Sequence, residues 1–335
     1  MRKLENIQLL RALACLGVFI THLAPRLGVQ GPAAKAANFG ASGVYLFFII
    51  SGYLVCMQKE IGPGSSMKEL KNYYIKRLFR VLPLYYAVVL CNIVLHTFIL
   101  QDVTPDPGGL YWLRYFLLTN AFVPAPDNFW GNLSATWTIS LFVVFYVTAP
   151  LWRLVRGIKS GAAVYLAALV LRYIWVQTEC SAYMMVFYYL HFFLLGMLIW
   201  QLKEKMEPVQ SALALGICGA LLWAGIKLLG LEPDYFTTWS WFFGAILLLT
   251  QHIRLGEGCF RKIVQGIDRY SYSIYLVHAL VLDGILLLQG KIALPAPAVL
   301  ILAVGLTAAG VAAAEILVER PAKKLSARLV APGRI

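Results

Sequence analysis

An arginine and a histidine share the first apolar stretch of the chain. Arg11 and His22 lie 11 residues apart within residues 7–24. At about 100° per residue, that spacing is only about 20° past three full turns. On a helix both side chains occupy one face, separated by about 16 Å along the axis. An ionisable group inside a bilayer is costly, which makes it a functional candidate. A guanidinium binds phosphate through paired hydrogen bonds and keeps its charge. An imidazole accepts and returns a proton near neutral pH. The pair therefore suits an elongated ligand with an anion at one end and a reacting group at the other. The plain alternative is that Arg11 snorkels to the inner membrane surface and His22 caps its helix near Pro25.

Other residues stand out in the same way. Lys76, Arg77 and Arg80 set three cations on about one helical turn, where they could hold anionic lipid or a nucleotide phosphate. The run Gly43–Leu54 carries a Ser51-Gly52 step that suits either a ligand approach or close helix packing. Trp137, Ser140, Phe145 and Tyr146 open another apolar segment, where an aromatic belt at the membrane surface is the simpler reading. In Ser271-Tyr-Ser-Ile-Tyr275-Leu-Val-His278, the histidine reads either as a buried hydrogen-bonded side chain or as part of a site, and Asp283 follows on the same helix. His96, His191 and His252 read as structural or interfacial. Cys15, Cys56, Cys91, Cys180, Cys218 and Cys259 form no Cys-x-x-Cys pair, so neither a disulfide scaffold nor a metal site is expected.

The elements that must position these residues are apolar helices. Of 335 residues, 60% are hydrophobic and 13% charged, too apolar for a soluble core. The pattern predicts an all-α polytopic membrane protein in one domain, 1–335, with ten spans. These are 7–24, 39–57, 81–100, 135–152, 160–177, 183–200, 209–229, 236–252, 271–289 and 295–318. The basic start before the first span resembles a signal peptide but reads as part of that helix. The stretch 110–123, with Trp112 and Phe116, is too short to cross and lies at the interface or re-enters. With the N-terminus cytoplasmic, inside segments hold 22 Lys and Arg and outside segments 4, a positive-inside distribution that puts both termini in the cytoplasm. The net charge of +13 sits between apolar segments, so a membrane-proximal role fits better than nucleic-acid binding. Outside segments are acidic, with Asp102, Asp106, Asp127, Glu179, Glu232 and Asp234, and the longest, 101–134, is rich in Pro and Gly. No internal repeat or low-complexity tract is evident.

Taken in order, these segments resemble the acyltransferase-3 family of membrane O-acyltransferases along nearly the whole chain. Gln8-Leu-Leu-Arg11-Ala with His22 is similar to its Arg-x10-His signature. Phe47-Phe-Ile-Ile-Ser51-Gly52-Tyr53 and Arg77-Leu-Phe-Arg80-Val-Leu-Pro83 resemble its FFxxSG and RxxRxxP segments. Trp137-Thr-Ile-Ser140 with Phe145-Tyr146 resembles its WSLSxE and FY pattern, and the 271–278 segment and Glu319-Arg320-Pro321 also match. Where many relatives carry an acidic residue two positions after the serine, this chain has Phe142.

The resemblance implies transfer of an acyl group, commonly acetyl, from acyl-CoA to a sugar hydroxyl of an envelope or extracellular glycan. It implies a multi-pass protein of the cytoplasmic membrane, with acyl-CoA as co-substrate and no permanently bound cofactor. His22 is then the expected catalyst. Arg11, Arg77 and Arg80 are expected to hold the donor phosphates, with Ser51, Trp137, Ser140, Tyr146, Tyr275 and His278 in support. Two other classes are compatible with the residues. One is a proton-coupled transporter or flippase using Arg11, His22 and Asp283; the other is an inactive membrane receptor, for which Phe142 speaks.

Overall fold

The computed structural model describes residues 4–62, 64–101, 113–122, 136–178, 186–228 and 235–330. The described residues are helical and form an all-α multi-pass membrane protein. Among the described residues, eight helices are long and apolar enough to cross a membrane. The remaining two expected spans are the shorter apolar helices α6 (Trp137–Trp152) and α10 (Tyr235–Leu249). Trp112, Cys180 and the acidic Asp102, Asp106, Asp127, Glu179, Glu232 and Asp234 lie outside the described residues.

Helix α1 (Glu5–Leu23) is followed by a tight turn, Ala24–Leu27. Helix α2 (Gly31–Phe39) occupies part of what reads as an outer loop, and a turn at Gly40–Ser42 leads into α3 (Gly43–Cys56). The third expected span begins nearly four turns early, as α4 (Met67–Val94). Ser66 and Glu69 close a capping box that starts the helix in the polar segment. Lys76, Arg77 and Arg80 therefore ride on the same rod as the membrane span. The short α5 (Leu113–Phe116) precedes α6, and α7 (Ile158–Val176), α8 (Val186–Lys203) and α9 (Pro208–Leu228) follow. Helix α11 (Cys259–Lys291) is the longest. Helix α12 (Ala296–Ala314) continues through one wider turn into α13 (Arg320–Leu329).

Small residues set the core. A Cβ on Gly52 would lie 1.9 Å from the Phe193 carbonyl oxygen, and one on Gly196 would lie 1.9 Å from that of Ile49. The two glycines thus let α3 and α8 touch backbone to backbone, as apolar helices do where lipid offers no hydrophobic drive. Around that contact Phe145 stacks on Phe193, and Phe48 packs against Phe193 at a tilt. On α9, Leu213, Ile217 and Leu221 form an outward stripe suited to lipid.

The 113–122 stretch goes inward. Tyr85 and Tyr86 of α4 donate their hydroxyls to the carbonyls of Tyr115 and Phe116, at 2.8 and 2.9 Å. The α4 rod continues to Leu100, about 21 Å beyond Tyr86 at 1.5 Å per residue. Of the two expected placements, these contacts favour re-entry.

Candidate functional site

Helices α1 and α11 run side by side, and α11 grips α1 at three levels. At the level nearest the start of α1, called inner after the expected orientation as the far end is called outer, Arg11 Nη1 pairs with the Asp268 carboxylate at 3.1 Å and Nη2 donates to Ser271 Oγ at 3.0 Å. The ion pair and the hydrogen bond together fix the guanidinium and leave N–H groups for a ligand. At the middle level, His278 Nε2 lies 3.1 Å from His22 Nδ1. At the outer level, Arg26 faces Asp283 at 3.9 Å and its carbonyl accepts from Gln289 at 2.9 Å.

The histidine pair has a definite polarity. His278 Nδ1 lies 3.0 Å from the Ile274 carbonyl, which only accepts. Its Nδ1 therefore carries the proton and its Nε2 offers a lone pair. His22 Nδ1 lies 3.0 Å from the Val18 carbonyl as well as facing His278 Nε2, so both neighbours are acceptors and this nitrogen is the donor. The network assigns the free lone pair to His22 Nε2. That is the form of an imidazole ready to take a proton.

Cavities flank the first helix in sequence. An inner cavity of about 280 Å³ is lined by Arg11, Ser51, Arg77, Arg80, Phe142, Tyr146 and Tyr275, among others. An outer cavity of about 370 Å³ is lined by His22, Thr21, Arg26, Tyr45 and Trp137, and shares Val44 and Tyr275 with the inner one. A third, of about 660 Å³, opens between α4 and α13; it shares Gln58, Arg77 and Arg80 with the inner cavity and adds Lys76 and Lys323. Arg77 lies over the rings of Tyr73 and Tyr146, at 5.6 and 5.1 Å from their centroids. Aromatic faces hold its charge without neutralising it. Lys76 is paired with Glu60 at 2.9 Å, and that hydrogen bond holds the Glu60 carboxyl below the usual carboxylate range.

The structure thus gathers Arg11, Arg77, Arg80, Ser51, Tyr146 and Tyr275 around one cavity, and His22, Trp137 and Tyr275 around the next. His278 stands behind His22 instead of in the cavity wall. In the Ser51-Gly52 step the serine lines the inner cavity and the glycine makes the helix contact. Ser140 lines neither cavity. It is buried and donates to Asn120, whose amide donates to Thr136 at 2.8 Å, so it clips the re-entrant stretch to α6. Phe142 packs against Phe48 and Phe193 on the inner cavity wall, with ring centroids 5.0 and 5.7 Å away. Sequence reasoning missed Asp268 and Arg26. Asp268 is an acid in an otherwise basic segment three residues before Ser271, and Arg26 lies one helical turn beyond His22.

A family model described as an acyltransferase domain (acyltransferase-3) matches residues 4–315. The chain is 28% identical to the exopolysaccharide production protein ExoZ of Rhizobium meliloti, over 85% of this chain and 90% of that protein. It is 28% identical to the acyltransferase MdmB of Streptomyces mycarofaciens, over 47% of this chain and 41% of MdmB. It is 26% identical to the peptidoglycan O-acetyltransferase OatA of Listeria monocytogenes, over 45% of this chain and 24% of OatA. The matched region thus spans well under two thirds of MdmB and OatA. No solved structure matches the chain.

Proposed function

This chain belongs to the acyltransferase-3 family, and from that premise we propose that it carries an acyl group, acetyl in the first instance, from acyl-CoA in the cytoplasm to a hydroxyl of an envelope or extracellular glycan. The observation that carries the reading is the file of cavities with shared walls, basic at one end and holding an imidazole with a free Nε2 at the other. The relatives named for exopolysaccharide production and for peptidoglycan O-acetylation support a glycan acceptor. The positive-inside distribution supports a cytoplasmic-membrane protein with both termini inside, and hence a basic mouth facing the cytosolic donor. In this reading acyl-CoA enters as a co-substrate, not as a resident cofactor.

In this mechanism Arg77, Arg80 and Arg11 hold the donor phosphates, and the extended pantetheine arm lies in the inner cavity. The thioester passes Val44 and Tyr275 to reach His22. The acceptor hydroxyl gives its proton to His22 Nε2 as its oxygen bonds to the thioester carbon. The carbonyl electron pair moves to oxygen, then returns as the carbon–sulfur bond breaks. The thiolate takes the proton from His22, leaving an ester and free CoA thiol. Trp137 offers a flat face to the acceptor.

The test is acyl-CoA-dependent O-acylation by the purified protein in lipid discs. His22→Ala is expected to lose roughly 10²-fold or more in kcat, and full activity in that variant would reject His22 as the base. Arg11→Glu should weaken binding of CoA itself, and an unchanged CoA affinity would remove Arg11 from the phosphate site.

A further inference from the structure

The outer cavity contains a cation that the proposed mechanism does not use. Arg26 sits in the turn after α1, one helical turn beyond His22, and lines the same cavity. Among the described residues of that lining it is the one permanently charged side chain. It is fixed at both ends by α11. Its carbonyl accepts from Gln289 at 2.9 Å, and its Nη2 faces Asp283 at 3.9 Å. His96 Nε2 lies 4.0 Å from the other Asp283 oxygen. A separation of 3.9 Å is an ion pair, not a hydrogen bond, so Asp283 orients the guanidinium without consuming its N–H groups. Arg26 Nε is buried and has no hydrogen-bond partner among the described residues. A buried N–H left in that state points to a ligand group that completes it. Two neighbouring hydroxyls are already engaged. Thr21 donates to the carbonyls of Gly17 and Ala37, at 3.0 and 2.7 Å, and Tyr275 is paired with Thr138 at 3.0 Å.

We infer that Arg26 is a second catalytic residue, an electrostatic clamp for the oxyanion formed when the acceptor oxygen adds to the thioester carbon, with Asp283 as its positioning residue. The inference rests on the acyl-transfer reading and adds to it the group that receives the carbonyl electron pair. His22 takes the proton and Arg26 faces the negative oxygen. When the carbon–sulfur bond breaks, the pair returns to the carbonyl and the clamp is released. A fixed, largely water-excluded cation costs no reorganisation at the moment charge develops, which is how such donors accelerate acyl transfer.

The experiment measures thiol release from acetyl-CoA by the full chain in lipid discs, alongside the O-acetyl content of envelope glycans in cells carrying each variant. Arg26→Gln is expected to lower kcat roughly 10²-fold while the acetyl-CoA KM stays within about twofold. Arg26→Lys should recover part of the loss, and Asp283→Asn should fall between. Unchanged CoA affinity and thermal unfolding of Arg26→Gln show that the variant is folded. A kcat within about threefold of wild type would overturn the inference, as would a rise in KM at constant kcat. Thiol release that is unchanged while O-acetylation of anionic glycans alone is lost would also overturn it, in favour of acceptor recognition. A wild-type protein that releases no thiol would remove the acyl-CoA reading itself, an outcome distinct from an active wild type with an unaffected Arg26→Gln.

Discussion

His278 accepts from His22 and is itself oriented by the Ile274 carbonyl. It lines neither cavity, so its contribution is to hold the tautomer and rotamer of His22 from behind. Replacing it with Ala leaves His22 Nδ1 bonded only to Val18 and frees the ring to turn. His278→Ala is expected to lose roughly tenfold or more in kcat, with the donor KM unchanged. His278→Gln, whose amide oxygen can accept in place of the ring nitrogen, should restore part of the loss. A kinetic comparison of the three proteins decides it, and equal losses in Ala and Gln would reduce His278 to packing. At this scale the sequence marked Arg11 and His22 because ionisable side chains are conspicuous in an apolar run. It did not reveal Asp268, the ion-pair partner of Arg11, or Arg26, because both sit at the edges of spans, where charge is ordinary. Ser140 was misleading for a related reason. A small hydroxyl on a membrane helix serves a cavity or a neighbouring amide equally well, and only the fold brings Asn120 within reach.

Helix α11 does most of the positioning. Asp268 and Ser271 hold Arg11, His278 holds His22, and Asp283 and Gln289 hold Arg26. Because α1 and α11 rise in the same direction, successive levels of one meet successive levels of the other. Opposite the cavity, α3 is fixed by its glycine contacts with α8, and this supports a prediction about the element. Gly196→Ala would push a methyl group to within 1.9 Å of the Ile49 carbonyl, so the helices must separate, at a cost of about 1–3 kcal/mol. Gly216→Ala on α9, with nothing within 4 Å of its Cβ, should be neutral or slightly stabilising. Thermal unfolding in detergent compares the two, and equal midpoints would contradict the close packing. The helices themselves were legible from hydropathy, but their ends were not. Hydropathy stops where polar residues begin, whereas α4 starts at a capping box well outside the apolar run, and α11 extends both ways beyond residues 271–289.

For the whole molecule, the proposed direction of transfer makes a prediction about sidedness. Basic residues cluster on one side of the chain's topology, and the cavity between α4 and α13 opens among Lys76, Arg77, Arg80 and Lys323. Acetyl-CoA added outside sealed inverted vesicles should support O-acylation, while the same addition to right-side-out vesicles should not. Equal rates would reverse or abolish the assigned orientation. The all-α polytopic plan and the family were readable from the chain, since span count, charge asymmetry and motif order each constrain the same topology. The file of cavities was not, because it arises from six helices spread along the sequence, α1, α3, α4, α6, α11 and α13.

Val44 and Tyr275 line both the inner and the outer cavity. A partition made of two side chains can yield to a narrow, flexible thioester arm and close again behind it. Such a passage would let a chemical group cross a bilayer while protons and small ions on either side stay where they are, so that a cell could decorate its exterior without discharging its membrane.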